Sequence, residues 1–207
     1  MNGTDPSGLW TEGWCVGLAG SAIVGSASVY GCLQESNGNQ QVGLSVTGGV
    51  GVGLTLNLSQ WQRFLTNPSE AAAWRALGAS GAATAGYEIS NANSVEDLHG
   101  PFKSHSVTLG AEWGGNADYF TGNSADGAVT GVYLGAGVVG GASYSVQQTE
   151  TKVRILSGHA ADAVAGIITV LNTTPAAYAL RFFMRNFISA VAGGPATHDA
   201  STVGCYT

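Results

Sequence analysis

The stretch that decides the fold is LSVTGGVGVGLTLNL, residues 44–58. Its even positions carry Leu, Val or Gly, and its odd positions carry Ser, Thr, Gly or Asn. This alternation with a period of two is typical of a β-strand, because successive side chains point to opposite faces of a sheet. The stretch therefore predicts a long strand with one apolar face and one small or polar face.

The same alternation returns in residues 105–119 and 132–146. The segment between them, TGNSADG at 121–127, is rich in turn-forming residues, so the two stretches are expected to form a long hairpin. We expect the apolar phase of all three stretches to form one buried face. That phase includes Leu109, Trp113, Leu134 and Val138.

An earlier region, residues 14–34, is less regular, and its apolar phase switches near residues 20–21. Such a switch predicts a bulge or a tight turn, which glycine permits. Four or five long strands follow from these patterns. The predicted fold class is mainly β: a long-stranded, antiparallel, glycine-rich sheet, curled into a barrel or packed as a sandwich.

Helical patterns interrupt and follow the strands. The segment NPSE at 67–70 begins a predicted helix within an insertion at about 59–78. Apolar residues at spacings of three and four predict a helical hairpin over 157–194. The expected organisation is a short N-terminal remnant at 1–10, a β domain at 11–156, this hairpin, and a loose tail at 195–207.

Composition limits the classes of function. The chain has 32 glycines among 207 residues, only 10% of its residues are charged, and its net charge is −6. Seven Lys and Arg residues do not form the basic cluster that nucleic acid requires, so nucleic acid is not an expected partner. No apolar run is long enough for a spanning helix, and no signal-peptide pattern opens the chain. We therefore expect secretion, or delivery into a target cell, as part of a larger protein.

The three cysteines, Cys15, Cys32 and Cys205, share no CxxC spacing. Neither a zinc site nor a disulfide framework is indicated. The preferred interpretation is that they are small buried hydrophobes. One disulfide with one free thiol is the alternative.

The N-terminal segment NGTDPSGLW, residues 2–10, resembles the end of the shell of Rhs/YD-repeat polymorphic toxins. In that family the shell cuts itself after the leucine of this motif and releases a C-terminal cargo. The resemblance implies a cut between Leu9 and Trp10. It also implies that Asp5 is inert here, because the family's proteolytic aspartates require the upstream shell. The segment SNANSVEDLHGPF at 90–102 is similar to glycine-rich C-terminal regions of other YD-repeat proteins, for which it implies no activity.

Few residues offer catalytic chemistry. Asp97 and His99 are close in sequence and are weak catalytic candidates, although a turn-stabilising Asp beside an exposed His is the preferred interpretation. Glu112 and Asp118 share one strand face about 20 Å apart, which is too far for a carboxylate pair acting on one bond. We expect both of these carboxylates to face water.

Other patterns give ordinary structural interpretations. His159 and Asp162 have the spacing of a metal pair, but helix capping is preferred, and no metal or cofactor is predicted. Arg181 and Arg185 lie beside aromatic residues on the last helix. This helix could rest on a membrane surface; docking on the sheet is slightly favoured. The Gly-x-Gly patterns lie inside a strand, where they do not form a phosphate loop.

The predicted function is that of a cargo domain of an Rhs-type toxin that acts on membranes. A membrane barrel needs at least eight strands, so four or five strands predict a pore only after self-association. The alternatives are an enzymatic toxin with a site assembled from distant residues, and a non-catalytic binding or structural module. The expected partners are the Rhs shell before release, a cognate immunity protein and membrane lipid. The membrane-contact candidates are Leu109, Trp113, Leu134, Val138, Phe183 and Phe187.

The resemblance generates a prediction about processing. A parent protein with an active shell protease is expected to release a fragment whose first residue is Trp10. N-terminal sequencing of the purified parent measures this. A parent that stays intact while its shell protease is active contradicts the prediction.

Overall fold

The structure is a computed structural model that describes residues 10–22, 25–37, 40–56 and 79–192. These residues form six strands and two α-helices, with a short 3-10 helix at Glu96–Leu98. The strands are β1 Thr11–Ala22, β2 Gly25–Ser36, β3 Val42–Leu56, β4 Ala79–Ser90, β5 Gly100–Ser124 and β6 Gly127–Ile155. The helices are α1 His159–Asn172 and α2 Pro175–Ala192.

Much of the predicted fold is confirmed. The three alternating stretches lie in β3, β5 and β6, and the last two strands form the expected hairpin, in which Ser124 pairs with Gly127. The phase switch near residue 20 reflects the change from β1 to β2, which pair as far as Ala22 and Gly25. Strand β4 was not predicted. The expected helical insertion at 59–78 and the tail at 195–207 lie outside the described residues.

The sheet is antiparallel, with the strand order β3-β2-β1-β4-β6-β5. Strand β3 also pairs with β6, which brings the two ends of this order together. Residues 131–140 of β6 pair with β4, and residues 142–155 pair with β3. The first four strands have the Greek-key order, with β4 beside β1. Because β6 joins both free edges of this four-stranded group, the sheet closes into a barrel.

Closure depends on a bend shared by the two longest strands. Near residue 141 the register of β6 passes from β4 to β3, and Gly141 has a φ of 95°. On β5 the neighbouring Glu112 has a φ of 76°. Both angles lie in the left-handed region, where glycine is comfortable and other residues are strained.

Beyond this bend β5 folds back along itself. A Cβ built on Gly122 would lie 2.8 Å from the carbonyl oxygen of Pro101, and the rings of Phe102 and Phe120 are 5.6 Å apart. In a straight strand residues 101 and 122 would be separated by about 70 Å. The two long strands therefore make two passes each, and the barrel has eight passes rather than the four or five strands counted from the sequence.

Gly114 shows how tightly the bend is packed. A Cβ at this position would lie 2.5 Å from the Cα of Gly110 and 2.9 Å from the carbonyl carbon of Leu109. Backbone atoms cannot move aside as the end of a flexible side chain can. Glycine is therefore required where the two halves of β5 approach each other.

The prediction that the apolar phase is buried is wrong. Val50, Leu109 and Trp113 are 69%, 52% and 75% exposed. Ser and Thr residues of the opposite phase, such as Ser45, Thr55 and Thr108, are buried. The alternation itself is confirmed, but its two faces are reversed. The reason is the narrowness of the closed barrel, whose interior accepts mainly small side chains on the concave face of each strand.

The helical hairpin is confirmed, and it docks against the outer wall near one end of the barrel. Tyr87, Ile89, Val132 and Met184 form a buried cluster between the wall and α2. Arg181 and Arg185 of α2 both form ion pairs with the buried carboxylate of Glu12, the second of them at 2.9 Å. The two arginines thus help to dock α2 on the sheet, which is the interpretation that the sequence slightly favoured.

Closure through the bend predicts a specific cross-link. In a Cys205→Ser background, the pair Phe102→Cys and Gly122→Cys is expected to form a disulfide under mild oxidation, because the two halves of β5 touch there. Peptide mapping by mass spectrometry measures the cross-link.

A control pair, Phe102→Cys with Ala111→Cys, is closer in sequence but separated by about 30 Å along the strand. It is expected to stay reduced. Equal cross-linking of both pairs, or of neither, contradicts the folded-back strand.

Candidate functional site

An apolar belt surrounds the half of the barrel that the helices leave uncovered. Twelve large apolar side chains of the strands point outward there, each at least 45% exposed. We call this set the belt: Val16, Leu18, Val29, Val46, Val50, Val52, Leu54, Val107, Leu109, Trp113, Val138 and Tyr144. Every strand except β4 contributes to it, and β4 presents exposed Ala83 and Ala85 in the same region.

Charged residues mark the two limits of the belt. At the end near the helices, Val46 pairs with Lys152, and exposed Lys103, Glu150 and Arg154 lie close by in the sheet. At the other end exposed Glu112 occupies the bend of β5. On β3 the belt runs from Val46 to Leu54, which is about 27 Å along the strand and about 20 Å along a barrel axis with ordinary strand tilt.

The membrane-contact candidates named from the sequence fall into two places. Leu109, Trp113 and Val138 belong to the belt. Leu134 is half-buried against the cluster under α2. Phe183 is 61% exposed on α2, and the side chain of Phe187 lies outside the described residues.

The outer face of the helical hairpin is also apolar. Ile167, Val170, Tyr178 and Phe182 are exposed there, and the two arginines of α2 turn inward to Glu12. Among the described residues no single helix has the length and hydropathy to cross a bilayer. By length and composition alone, the pair His159–Asn172 and Ala177–Asn186, bent by 93°, meets that requirement together.

The lumen has the opposite character. Its wall consists largely of Ser, Thr and Gly, and the larger side chains that enter it are mostly polar. The buried hydroxyl residues of the strands are Thr11, Ser21, Ser26, Ser36, Ser45, Thr55, Ser80, Thr84, Ser90, Ser104, Ser106, Thr108, Ser143, Ser145, Thr149 and Thr151.

Two of the hydrogen-bonded groups in the lumen contain a carboxyl side chain. In the first, the Gln34 amide donates to a Glu88 carboxylate oxygen at 2.7 Å and to the Ser45 hydroxyl at 3.2 Å. In the second, the Asn116 amide donates to Asp118 at 3.1 Å and to the Tyr30 hydroxyl at 3.0 Å. Together these side chains occupy the space that would otherwise be a channel.

Glu88 and Asp118 are the acidic members of these groups. The pKa of Glu88 is raised to about 7, mainly by burial; the hydrogen bond from Gln34 lowers it, and the nearby charge of Asp118 adds to the rise. Burial also raises the pKa of Asp118, against hydrogen bonds from Ser106, Tyr30 and Asn116. No ion pair joins either carboxylate to a described Lys, Arg or His.

A small cavity of about 40 Å³ lies between the two groups. Glu88, Asp118, Tyr30 and Tyr133 contribute to its lining. This volume holds a water molecule or two. The described residues therefore enclose a water-sized space into which two carboxyl side chains point.

The acidic residues considered from the sequence are placed as follows. Asp97 accepts hydrogen bonds from the backbone and hydroxyl of Ser94 at 3.0 and 2.9 Å, and His99 is exposed, so the pair occupies a turn. His159 and Asp162 are exposed in the first turn of α1. Asp118 is buried in the lumen, so the expectation that it faces water is wrong; Glu112 is exposed.

The preferred interpretation of the cysteines is also wrong in one respect. Cys15 and Cys32 are buried, but they are directly opposite each other in the β1–β2 register and form a disulfide. One disulfide with one free thiol is the alternative that the sequence left open. Cys205 lies outside the described residues.

Sequence reasoning missed Glu88 and Gln34. Both belong to the inward phase of their strands, alternating with the outward residues Tyr87 and Leu33. A single polar residue in a weakly patterned strand gives little signal, because its partners are far away in the sequence. The signal that was present is the rarity of carboxylates in a chain with only 13 Asp and Glu residues.

Comparison with protein-family models, with curated proteins and with solved structures finds no match to this chain.

The raised pKa of Glu88 predicts how stability depends on pH. Between its ordinary value of 4.5 and about 7, this carboxyl is ionised in the unfolded chain but protonated in the folded barrel. The free energy of unfolding therefore falls as pH rises through this window, by about 3 kcal/mol, and the contribution is constant above it.

Glu88→Gln removes this contribution and keeps an oxygen for the Gln34 hydrogen bond. The variant is expected to gain stability over the wild type from pH 4.5 to 7, measured by chemical denaturation in detergent at several pH values. If the difference in the free energy of unfolding between Glu88→Gln and the wild type does not change with pH across this range, the raised pKa of Glu88 is contradicted.

Proposed function

We propose that this domain inserts into lipid bilayers through its belt, as the cargo of an Rhs-type toxin. The observation that carries the proposal is the reversal of the barrel faces, with apolar side chains outside and polar side chains inside. Barrels that work in water bury their apolar phase, whereas membrane barrels expose an apolar band of about 25 Å and keep a polar interior.

The energetics favour lipid as the surroundings of the belt. Complete burial of one Val or Leu side chain contributes roughly 1.5 to 3 kcal/mol. Twelve such side chains left in water, each about half exposed or more, represent a cost on the order of 10 kcal/mol. Transfer of the belt into lipid removes this cost.

The backbone also suits lipid. An open sheet edge cannot enter the hydrocarbon region, because its N–H and C=O groups would have no partners. Here both edges of the four-stranded group β3-β2-β1-β4 pair with β6. The eight passes equal the smallest number found in bacterial membrane barrels.

The filled lumen limits what insertion does. Interiors of eight-stranded barrels are just wide enough for side chains to fill, and Gln34, Glu88, Asn116 and Asp118 occupy this one. Insertion of one copy is therefore expected to perturb the membrane without opening a wide channel. Leakage of large solutes therefore requires that several copies of the domain associate in the membrane.

The Rhs origin supplies the route to the membrane. The segment at 2–10 resembles the end of the shell motif, and a cargo with an exposed belt benefits from a container until release. A cognate immunity protein, the expected partner in the producing cell, is proposed to cover the belt or to block its entry into lipid.

Liposome flotation tests the proposal. The wild-type chain, refolded in detergent and diluted into vesicles, is expected to float with lipid. Val50→Lys and Leu109→Lys place a charge in the belt at a cost of about 2 to 4 kcal/mol, which lowers partitioning roughly 30- to 900-fold. Both side chains are exposed, so the substitutions leave the fold intact, which circular dichroism checks.

Asn123→Lys is the matched control, since it adds the same charge at an exposed position near the β5–β6 turn, outside the belt. It is expected to float like the wild type. A wild-type chain that stays in the aqueous fraction overturns the proposal. Folded belt variants that float as well as the control remove the belt as the lipid contact.

A further inference from the structure

Three side chains that can bind metals meet inside the lumen. Cys32, Cys15 and Glu88 lie on the adjacent strands β2, β1 and β4 and point inward. Cys15 is opposite Cys32 in one register and opposite Gly86, two residues before Glu88, in the other. One carboxylate oxygen of Glu88 lies 3.9 and 4.0 Å from the two sulfur atoms.

In the oxidised protein these atoms cannot form a metal site, because a disulfide offers no thiolate. The Glu88 carboxyl then contacts Gln34 on one side and the disulfide on the other. Reduction by a dithiol such as dithiothreitol supplies two electrons and two protons, breaks the S–S bond and leaves two thiols. The reductant ends as its own disulfide.

We propose that the reduced protein binds one zinc-class divalent metal ion through Cys15, Cys32 and Glu88. The three potential ligand atoms already lie within 4.8 Å of one another. Two thiolates and a carboxylate are a donor set suited to Zn²⁺, with Zn–S bonds of about 2.3 Å. A tetrahedral ion requires the two sulfur atoms to separate to about 3.8 Å, which follows once the S–S bond is broken.

The cavity beside Glu88 completes the coordination. Three protein ligands leave a fourth position, which a water molecule takes in zinc sites of this kind. The space of about 40 Å³ lined by Glu88 accommodates that water. Gln34, which donates to Glu88 at 2.7 Å, holds the carboxylate in position.

The site makes the lumen sensitive to the redox compartment. Disulfides persist outside cells and in the periplasm, whereas the bacterial cytoplasm keeps thiols reduced. The domain would hold the disulfide during export and the metal after entry into a reducing compartment. This inference does not depend on membrane insertion and can fail or succeed separately from it.

Cobalt binding tests the site directly. The full chain with Cys205→Ser is reduced and freed of reductant, and two free thiols are confirmed by a thiol assay. Titration with Co²⁺ without oxygen is expected to give a thiolate-to-cobalt charge-transfer band that saturates at one ion per chain, with displacement by Zn²⁺. The oxidised protein is expected to show no band.

Variants separate the three-residue site from a simple thiol pair. Cys32→Ser is expected to abolish the tight site, and Glu88→Gln to weaken Co²⁺ binding by at least about tenfold. Glu150→Gln, which makes the same change at an exposed carboxylate outside the lumen, is the matched control and is expected to keep wild-type affinity. A reduced, folded chain with two free thiols and no cobalt band overturns the site, as does equal affinity for Glu88→Gln and the wild type.

A second measurement applies if the protein loses its structure when the disulfide is reduced. If the reduced chain unfolds, refolding with and without Zn²⁺ is followed by circular dichroism. A metal that binds only the folded site stabilises it by mass action, so Zn²⁺ is expected to restore the barrel in the wild type but not in Glu88→Gln. Refolding that is unaffected by Zn²⁺ overturns the proposal.

Discussion

The pairing of one strand with two others is the constraint on which the rest of this structure depends. Strand β6 pairs with β4 along residues 131–140 and with β3 along residues 142–155. Both β6 and its hairpin partner β5 must therefore bend between these two segments. Gly141 supplies a positive φ, and Gly114 leaves room for the backbone. Without the bend β6 could not reach both edges of the four-stranded group β3-β2-β1-β4.

Closure determines which residue types occupy each face. A barrel of eight passes is narrow, so its inward phase is restricted to Ser, Thr, Gly and a few polar side chains that hydrogen-bond to one another. The larger apolar side chains can then be accommodated only on the outer wall of the barrel. One half of that wall is covered by α1 and α2, held by the ion pairs of Glu12, and the other half remains as the belt. The apolar surface and the polar lumen are thus two consequences of the same geometry.

Most strands and the helical hairpin were predictable from the sequence, but which face of each strand is exposed was not. Alternation in residues 44–58 establishes that the two faces of a strand differ, and it leaves open which face is enclosed. The assumption that apolar means buried gave the wrong face for Val50 and Leu109. Ala83 and Ala85 offer too little contrast with their neighbours to mark β4, and the glycine pairs at 114–115 and 140–141 were the unused signal for the bend.

The interior site required long-range information. Glu88 lies 73 residues from Cys15 and 56 from Cys32, and only the strand order β2-β1-β4 brings the three together. A sequence pattern with local spacing cannot reveal such a cluster. Asp118 was assigned to water for a related reason, since its face could be chosen only after the sheet had closed.

The central claim is that the outward phase of the strands meets lipid and the inward phase does not. Spin labels placed one at a time at exposed positions, Val46, Val50 and Val52 in the belt and Asn123 outside it, test it most directly in vesicles, through collision with dissolved oxygen and with a water-soluble nickel complex. The account predicts that labels at positions 46, 50 and 52 are accessible to oxygen and shielded from nickel, whereas the label at position 123 is accessible to nickel. High nickel accessibility at Val50 and Val52 would contradict it.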